Sequence, residues 1–402
     1  MTQIKNKKKI FVGVSGGVDS AVSLALLKEQ GHDVTGVFIR TWTPDFIECT
    51  WQDERRDAMR VCAYLNVPFL ECDAEQAYKK GVADYMIEEY RKGNVPNPDV
   101  MCNREVKFGV FWDFARERGA DAIATGHYAQ VCFPPLIRGG AKGGGVFRFQ
   151  NPPQPSLVRE GAILRKSPDI SKDQSYFLWT LTQADLAHTF FPVGHMQKSE
   201  VRKLAEKYKL PTATKKDSQG VCFLGPLDMK DFLKHYIESR KGDVINENGK
   251  IIGYHDGAEF FALGERHGFT ITEKTPSDKP YYVVAKDIQK NTIVVTPLLV
   301  PEGARGGDFK GAPPRPTCTP PYKGGEYIKI KNTNWISNIP EENKNYTAQI
   351  RYHGENLNCK ISCRRPTSVE TEIIFDEPTL VSSGQSIVIY DGDICMGGGV
   401  VI

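Results

Sequence analysis

Six residues near the start of the chain, Ser15-Gly16-Gly17-Val18-Asp19-Ser20, combine two glycines, two hydroxyls and a carboxylate. They follow the apolar run Ile10-Phe11-Val12-Gly13-Val14 and precede residues 21–30, which have helical spacing. A short β-rich run, a glycine pair and a helix read as strand, tight loop, helix. The glycines let the backbone approach an anion, and N–H groups of the helix start point at it. Ser15 and Ser20 add donors, and Asp19 can hold a Mg²⁺ that offsets phosphate charge. This is a phosphate cradle; the plain alternative is a glycine turn with a serine cap. No G-x-x-x-x-G-K-[ST] is present, so no lysine of this loop reaches for a γ-phosphate.

Two cysteines lie in polar, punctuated surroundings. Pro96-Asn97-Pro98-Asp99-Val100-Met101-Cys102-Asn103-Arg104-Glu105-Val106-Lys107-Phe108 places Cys102 just before a helical pattern that Asn103 can cap. A helix N-terminus with Arg104 and Lys107 nearby would lower the thiol's pKa and make it nucleophilic. A buried structural cysteine at a loop–helix junction fits these residues equally well. Cys222 stands in Lys216-Asp217-Ser218-Gln219-Gly220-Val221-Cys222-Phe223-Leu224-Gly225, a glycine-flanked polar loop suited to a thiol that is loaded and then moved. By itself it reads more readily as a loop cysteine that packs its own turn. Ser171-Lys172-Asp173-Gln174-Ser175-Tyr176-Phe177 sets a cation, a carboxylate and an amide before an apolar stretch, which an ordinary helix start would also do.

These residues need a scaffold, and the pattern from Ile10 to about Gly126 supplies one. Strands are expected over 34–39, 67–70 and 122–124, and helices over 53–65, 74–91 and 104–118. Repeated β–α alternation implies a parallel sheet with helices on both faces, and ligands in such sheets bind beyond the carboxyl ends of the strands. The glycine loop and Thr125-Gly126-His127 both sit at such ends. A helix over 229–239 is followed by short glycine-punctuated strands over 242–268, a small β unit. Short strands over 281–285, 292–296, 347–352, 358–363, 372–375 and 386–390 suggest a C-terminal β-barrel. Two segments, about 133–155 and 301–325, are rich in Gly, Pro and basic residues and share Gly-Ala-Lys-Gly-Gly and Gly-Ala-Arg-Gly-Gly. Neither has a hydrophobic period, so both read as solvated insertions.

The 402 residues suffice for two or three domains, and 40% hydrophobic with 25% charged residues is ordinary for a globular protein. No apolar run approaches a membrane span, and the basic start Met1 to Lys9 is too short for a targeting peptide. A cytoplasmic protein without a membrane partner is therefore expected. A net charge of +3 permits a nucleic-acid partner only through a local patch. The ten cysteines contain no C-x-x-C pair, which argues against a tightly bound metal cluster.

Ser15 to Ser20 resemble the PP-loop of the ATP pyrophosphatases, which cut ATP between its α and β phosphates. In combination, SGGVDS, PNPDVMCNREVKFG, ATGHYA, SKDQSYFL and DSQGVCFLG resemble the tRNA-specific 2-thiouridylase family over the whole chain apart from the two insertions. The resemblance implies an α/β fold: a PP-loop (adenine nucleotide alpha hydrolase-like) parallel-sheet domain at 1–225, a small β-containing domain at 226–280 and a C-terminal β-barrel at 281–402. It implies ATP with Mg²⁺ as substrate, bound by Gly13, Val14, Ser15, Gly16, Gly17, Val18, Asp19, Ser20, Ile39 and Gly126. Asn97, Pro98 and Asp99 would face the target base. His127, Lys172, Asp173, Gln174, Arg351, Tyr352 and Gln385 would touch tRNA. Cys102 would be the nucleophile and Cys222 the persulfide carrier, forming a disulfide that a thiol reductant opens. The implied partners are tRNA and a persulfide donor, either a cysteine desulfurase or a relay protein.

One departure stands out: Ala262-Leu263-Gly264-Glu265-Arg266 has glutamate where relatives carry glutamine. Two rivals follow from the same residues. Another PP-loop ligase, such as a tRNA lysidine synthetase or an argininosuccinate-type synthetase, needs no cysteine pair. A non-catalytic tRNA-binding protein would have no use for the intact loop.

Overall fold

The structure is a computed structural model that describes residues 7–47, 51–133, 161–217, 228–272, 279–297, 327–362 and 370–402. Cys222, both Gly/Pro-rich segments and Arg364–Arg365 lie outside the described residues.

The chain runs through β1 (Lys9–Gly13), β2 (Asp33–Arg40), β3 (Phe69–Asp73), β4 (Ala122–Ala124), β5 (Ala129–Cys132), β6 (Ile163–Lys166) and β7 (Thr189–Phe190). Five of these form a parallel sheet in the order β3-β2-β1-β4-β7, as the β–α alternation requires. β1 stands at its centre and reads as a continuous apolar run because both faces are covered. The order changes direction on either side of β1, and the crevice at such a switch point is where ligands bind. The glycine loop leaves β1 at that point.

The middle unit comprises β8 (Gly242–Ile245), β9 (Ile251–His255), β10 (Phe269–Ile271), β11 (Tyr282–Asp287) and β12 (Thr292–Thr296) in the order β10-β9-β8-β12-β11. The two strands expected to open the barrel, near 281–285 and 292–296, thus belong here instead. β12 pairs in parallel with β8, so its partner is fixed by a non-local contact that strand pattern alone does not reveal. The helix expected over 229–239 spans only Met229–Lys234.

The barrel is built from β13 (Tyr327–Trp335), β14 (Asn345–Gln349), β15 (Leu357–Ser362), β16 (Glu370–Phe375), β17 (Ser386–Asp391) and β18 (Ile394–Val401). Pairing of β13 with both β16 and β18 closes it. β18 also pairs with β6, joining Ile394 to Arg165 and Cys395 to Leu164 in register. The β5–β6 hairpin, not anticipated from the sequence, therefore extends the barrel sheet out of the first domain. Buried Leu164, Tyr390 and Cys395 lie in one apolar cluster with Phe11 and Phe111, so barrel and parallel sheet share a core.

Candidate active site

Strand β1 delivers the chain at Gly13, and the loop turns into the helix Val18–Glu29 through Gly16, whose φ is +71°. That left-handed conformation suits glycine, and a Cβ there would lie 2.5 Å from the Glu54 carbonyl oxygen. The helix starts at Gly17 with no side-chain cap, which leaves its first N–H groups available to an anion. Ser15 Oγ and Ser20 Oγ stand 3.4 Å apart, and the Ser15 N–H points at Ser20 Oγ across 3.3 Å. Gly126, at the end of β4, closes the other side: a Cβ there would sit 2.8 Å from the Ser20 nitrogen. Ile39 Cδ1 comes within 3.7 Å of a Cβ placed on Gly13, so β2 contributes an apolar edge. The phosphate-cradle residues named from the sequence are thus assembled in one place.

Asp19 is not bare. Lys198 Nζ lies 2.6 and 2.8 Å from its two carboxylate oxygens, and the Tyr128 hydroxyl donates to Oδ1 across 2.8 Å. Lys198 also pairs with Asp217 at 2.9 Å, and Asp217 pairs in turn with Lys172 at 2.8 Å and with Arg202. Burial opposes the Asp217 charge, yet Lys172 and Lys198 hold its carboxyl well below the usual carboxylate range. Among the described residues no group of three metal-ligating side chains occurs. A Mg²⁺ at Asp19 would therefore take its remaining ligands from phosphate and water, as Mg²⁺ commonly does.

The cysteine segment differs from expectation. The helix begins at Pro98, and its cap is Asn97, whose side chain accepts from the Asp99 and Val100 N–H groups at 3.1 and 3.2 Å. Asn103 lies inside the helical run, buried, donating to the Phe177 carbonyl at 3.2 Å. Cys102 consequently sits five residues into the helix rather than at its N-terminus, and the dipole argument for an activated thiol falls away. The Pro at the first helical position explains the shift: its fixed φ starts the helix there, and a β-region Asn before it supplies the cap. Cys102 is 3% exposed, within an apolar cluster that includes Tyr78, Val106 and Phe232. A π-helical stretch, Asn103–Val110, follows it directly, and such stretches are frequent at functional sites.

His127 is buried, with Nδ1 2.7 Å from Thr125 Oγ1 and its ring against Phe108 and Phe191. Burial pushes its pKa well down, and Lys107 adds to that effect. Lys107 also opposes the rise that burial imposes on Asp99. One cation of the Cys102 segment therefore acts on both His127 and Asp99. Of the Lys172-Asp173-Gln174 triplet, Asp173 is spent internally, accepting from the Ser167 and Ser175 N–H groups and from Ser175 Oγ. Gln174 Oε1 accepts from the Tyr128 N–H. Lys172 donates to Asp217 across 2.8 Å.

The barrel reaches the same region. Tyr352 packs 4.3 Å from the Phe177 ring, and burial, with Asp173 and Asp99, pushes its hydroxyl up to about 12. Arg351 beside it is exposed. Gly384, next to Gln385, abuts Asn94 and Val95, and the Val95 N–H donates to the Ser383 carbonyl at 2.7 Å. Tyr352 and the Gln385 turn thus come to the Asn97–Asp99 segment across the domain boundary. Glu265 accepts from the Ala262 N–H at 3.0 Å and pairs with Lys230 at 2.5 Å.

Sequence reasoning missed Lys198 and Tyr128 as partners of Asp19. Tyr128 belongs to the Ala124-Thr125-Gly126-His127-Tyr128-Ala129 motif, whereas nothing around Lys198 marks it.

Three family models match in tandem: "tRNA methyl transferase HUP domain" over residues 8–226, "tRNA methyl transferase PRC-barrel domain" over 230–297 and "Aminomethyltransferase beta-barrel domain" over 326–401. The chain is 36% identical to the tRNA-specific 2-thiouridylase MnmA of Geobacillus thermodenitrificans, covering 100% of this chain and 96% of that one. It is 37% identical to the Bacillus subtilis protein of the same name (98% and 94% covered) and 35% identical to that of Francisella philomiragia (98% and 99%).

Proposed function

Because the chain belongs to the tRNA-specific 2-thiouridylase family, we propose the division of labour by which its residues carry out ATP-dependent thiolation of uridine in tRNA. The enzyme is a sulfurtransferase. It adenylates the C2 oxygen of the wobble uridine and then replaces that oxygen with sulfur from a cysteine persulfide. In the first step the C2 oxygen bonds to the α-phosphorus and pyrophosphate leaves. In the second, sulfur bonds to C2 and AMP leaves with the original oxygen.

In this reading the Gly13–Ser20 loop, Ile39 and Gly126 hold ATP, and its Mg²⁺ arrives with the substrate. Asn97, Pro98 and Asp99 border the target base; Asn97 does so as the cap that fixes the helix start. His127, Lys172, Asp173, Gln174, Arg351, Tyr352 and Gln385 form the tRNA-facing set. Within it, Asp173 acts by shaping the backbone, since its carboxylate is fully engaged. Cys222 carries the persulfide, and Cys102 attacks its inner sulfur, releasing the outer sulfur to C2 and leaving a disulfide. That bond requires Cα atoms within roughly 7 Å and an uncovered Cys102 thiol. A persulfide donor and a thiol reductant complete the cycle, in a cytoplasmic setting. We place the domain limits near residues 1–225, 226–297 and 326–402.

The observation that carries this reading is the assembly of the uncapped glycine loop, Gly126 and Asp19 at the sheet's switch point. The family's chemistry begins with ATP, and this is where ATP chemistry belongs. Sulfur loading followed by addition of tRNA tests the cysteine roles. Cys222→Ser should accept no persulfide yet still release pyrophosphate with tRNA. Cys102→Ser should load sulfur on Cys222 but fail to thiolate. Thiolation at the normal rate by either variant would end the two-cysteine mechanism and favour another PP-loop ligase.

A further inference from the structure

The glycine loop Gly13–Ser20 contains no cation, although a triphosphate brings several negative charges to it. An ammonium reaches it from elsewhere in the chain, that of Lys198 on Asp19. Lys198 opens the helix Lys198–Lys207, which packs against the helix Val18–Glu29 that the loop begins. The start of that helix is pinned: Glu200 accepts from the Gln197 N–H at 2.8 Å, and Asp169 accepts from the Lys198 N–H at 2.8 Å. Lys198 is therefore held in position, with its side chain only 14% exposed and Nζ on Asp19.

We propose that Lys198 is a further substrate-positioning residue, the cation that receives the pyrophosphate end of ATP at this loop. The proposal rests on the reading of the loop as the ATP site. Its partners in the free protein make the exchange possible. Asp217 keeps Lys172 and Arg202 when Lys198 turns away, so no carboxylate there is stranded. Asp19 keeps the Tyr128 hydroxyl and gains the Mg²⁺ that accompanies ATP. The Asp19–Lys198 pair thus opens into two new pairs, Asp19 with Mg²⁺ and Lys198 with phosphate oxygen, and charge stays balanced throughout. Lys198 is only 14% exposed and an ammonium left alone there would be costly, so simultaneous exchange is the favoured course. During adenylation the bond from the α-phosphorus to its bridging oxygen breaks, and the leaving pyrophosphate takes the electron pair. Lys198 then offsets that charge without giving up a proton. A lysine suits this task because its ammonium acts as a compact point charge toward phosphate.

The test compares binding of ATP–Mg²⁺ and of AMP to the full chain carrying Lys198→Met. A cation on the pyrophosphate should matter to ATP alone. ATP affinity should fall by about tenfold or more, the usual scale for loss of a charge-assisted contact, while AMP affinity is unchanged. Equal affinity of the variant and the native protein for ATP would overturn the proposal, and so would parallel loss of both nucleotides. Protection of Lys198 from an amine-acylating reagent, read by peptide mass spectrometry on the native protein, does not depend on the variant's folding. ATP–Mg²⁺ and pyrophosphate–Mg²⁺ should protect Lys198 where AMP does not, and equal labelling in all three would overturn the assignment. Native protein that binds neither nucleotide would instead refute the ATP reading of the loop itself.

Discussion

At the scale of single residues, the loop depends on contacts that leave no room for a methyl group. Gly126→Ala would put a Cβ 2.8 Å from the Ser20 nitrogen and 2.9 Å from the Asp19 carbonyl carbon. Both are backbone atoms at the start of a helix and cannot move aside cheaply. Overpacking of this kind costs about 1–3 kcal/mol, relieved only by shifting the backbone of the loop, so ATP should bind more weakly. Steady-state pyrophosphate release at varied ATP checks this, and an unchanged KM for ATP would refute it. The residues of the loop were legible because their chemistry is local: glycine pair, hydroxyls and carboxylate lie within six positions. Lys198 was not, because its pairing with Asp19 spans 179 positions of sequence. Asn97 and Asn103 teach a related lesson. Either amide could cap a helix, and the choice fell to Asn97 because Pro98 can open a helix but cannot sit within one.

At the scale of elements, the β5–β6 hairpin couples the first domain to the barrel. Leu164 is fully buried, and Arg165 beside it pairs with Asp393 on the barrel side at 2.5 Å. Leu164→Ala should cost about 2–5 kcal/mol, the range for truncating a buried leucine. Because Leu164 belongs to the core shared by both units, denaturant unfolding followed by probes in each should show both destabilised. Loss confined to the first domain would contradict the shared core. β1 to β4 of the parallel sheet were readable from β–α alternation, with 122–124 matched residue for residue, whereas the two-residue edge strand β7 was too short to leave a pattern. The hairpin was hidden because its two strands are four residues each and separated by a Gly/Pro-rich stretch. Assignment of β11 and β12 to the middle unit was equally hidden, since β12–β8 pairing is a long-range choice that either sheet's strand pattern would allow.

At the scale of the whole molecule, burial lowers the pKa of five histidines, His32, His127, His188, His195 and His255. The clearest is His188, stacked 3.7 Å from Trp112 and brought down to about 4 by burial. A histidine whose folded pKa lies below its unfolded one resists protonation only in the folded state. Its contribution is therefore complete above about pH 6.5 and is lost as the pH falls toward 4. For His188 alone this amounts to roughly 3 kcal/mol. Urea unfolding at a series of pH values should show stability falling through that window, and His188→Gln should flatten the fall. A profile unaltered by that substitution would contradict the assignment. Tyr352 and the Gln385 turn of the barrel also come to the Asn97–Asp99 segment of the first domain. Given ATP, this chain replaces the C2 oxygen of a tRNA uridine with sulfur. Mass spectrometry of the nucleosides of tRNA treated with the protein, ATP–Mg²⁺ and a persulfide source tests it most directly. 2-Thiouridine should appear at the wobble position, formed only with ATP and matched by equal AMP and pyrophosphate; unmodified uridine despite bound ATP and loaded sulfur, or a methylated product in its place, would contradict that activity.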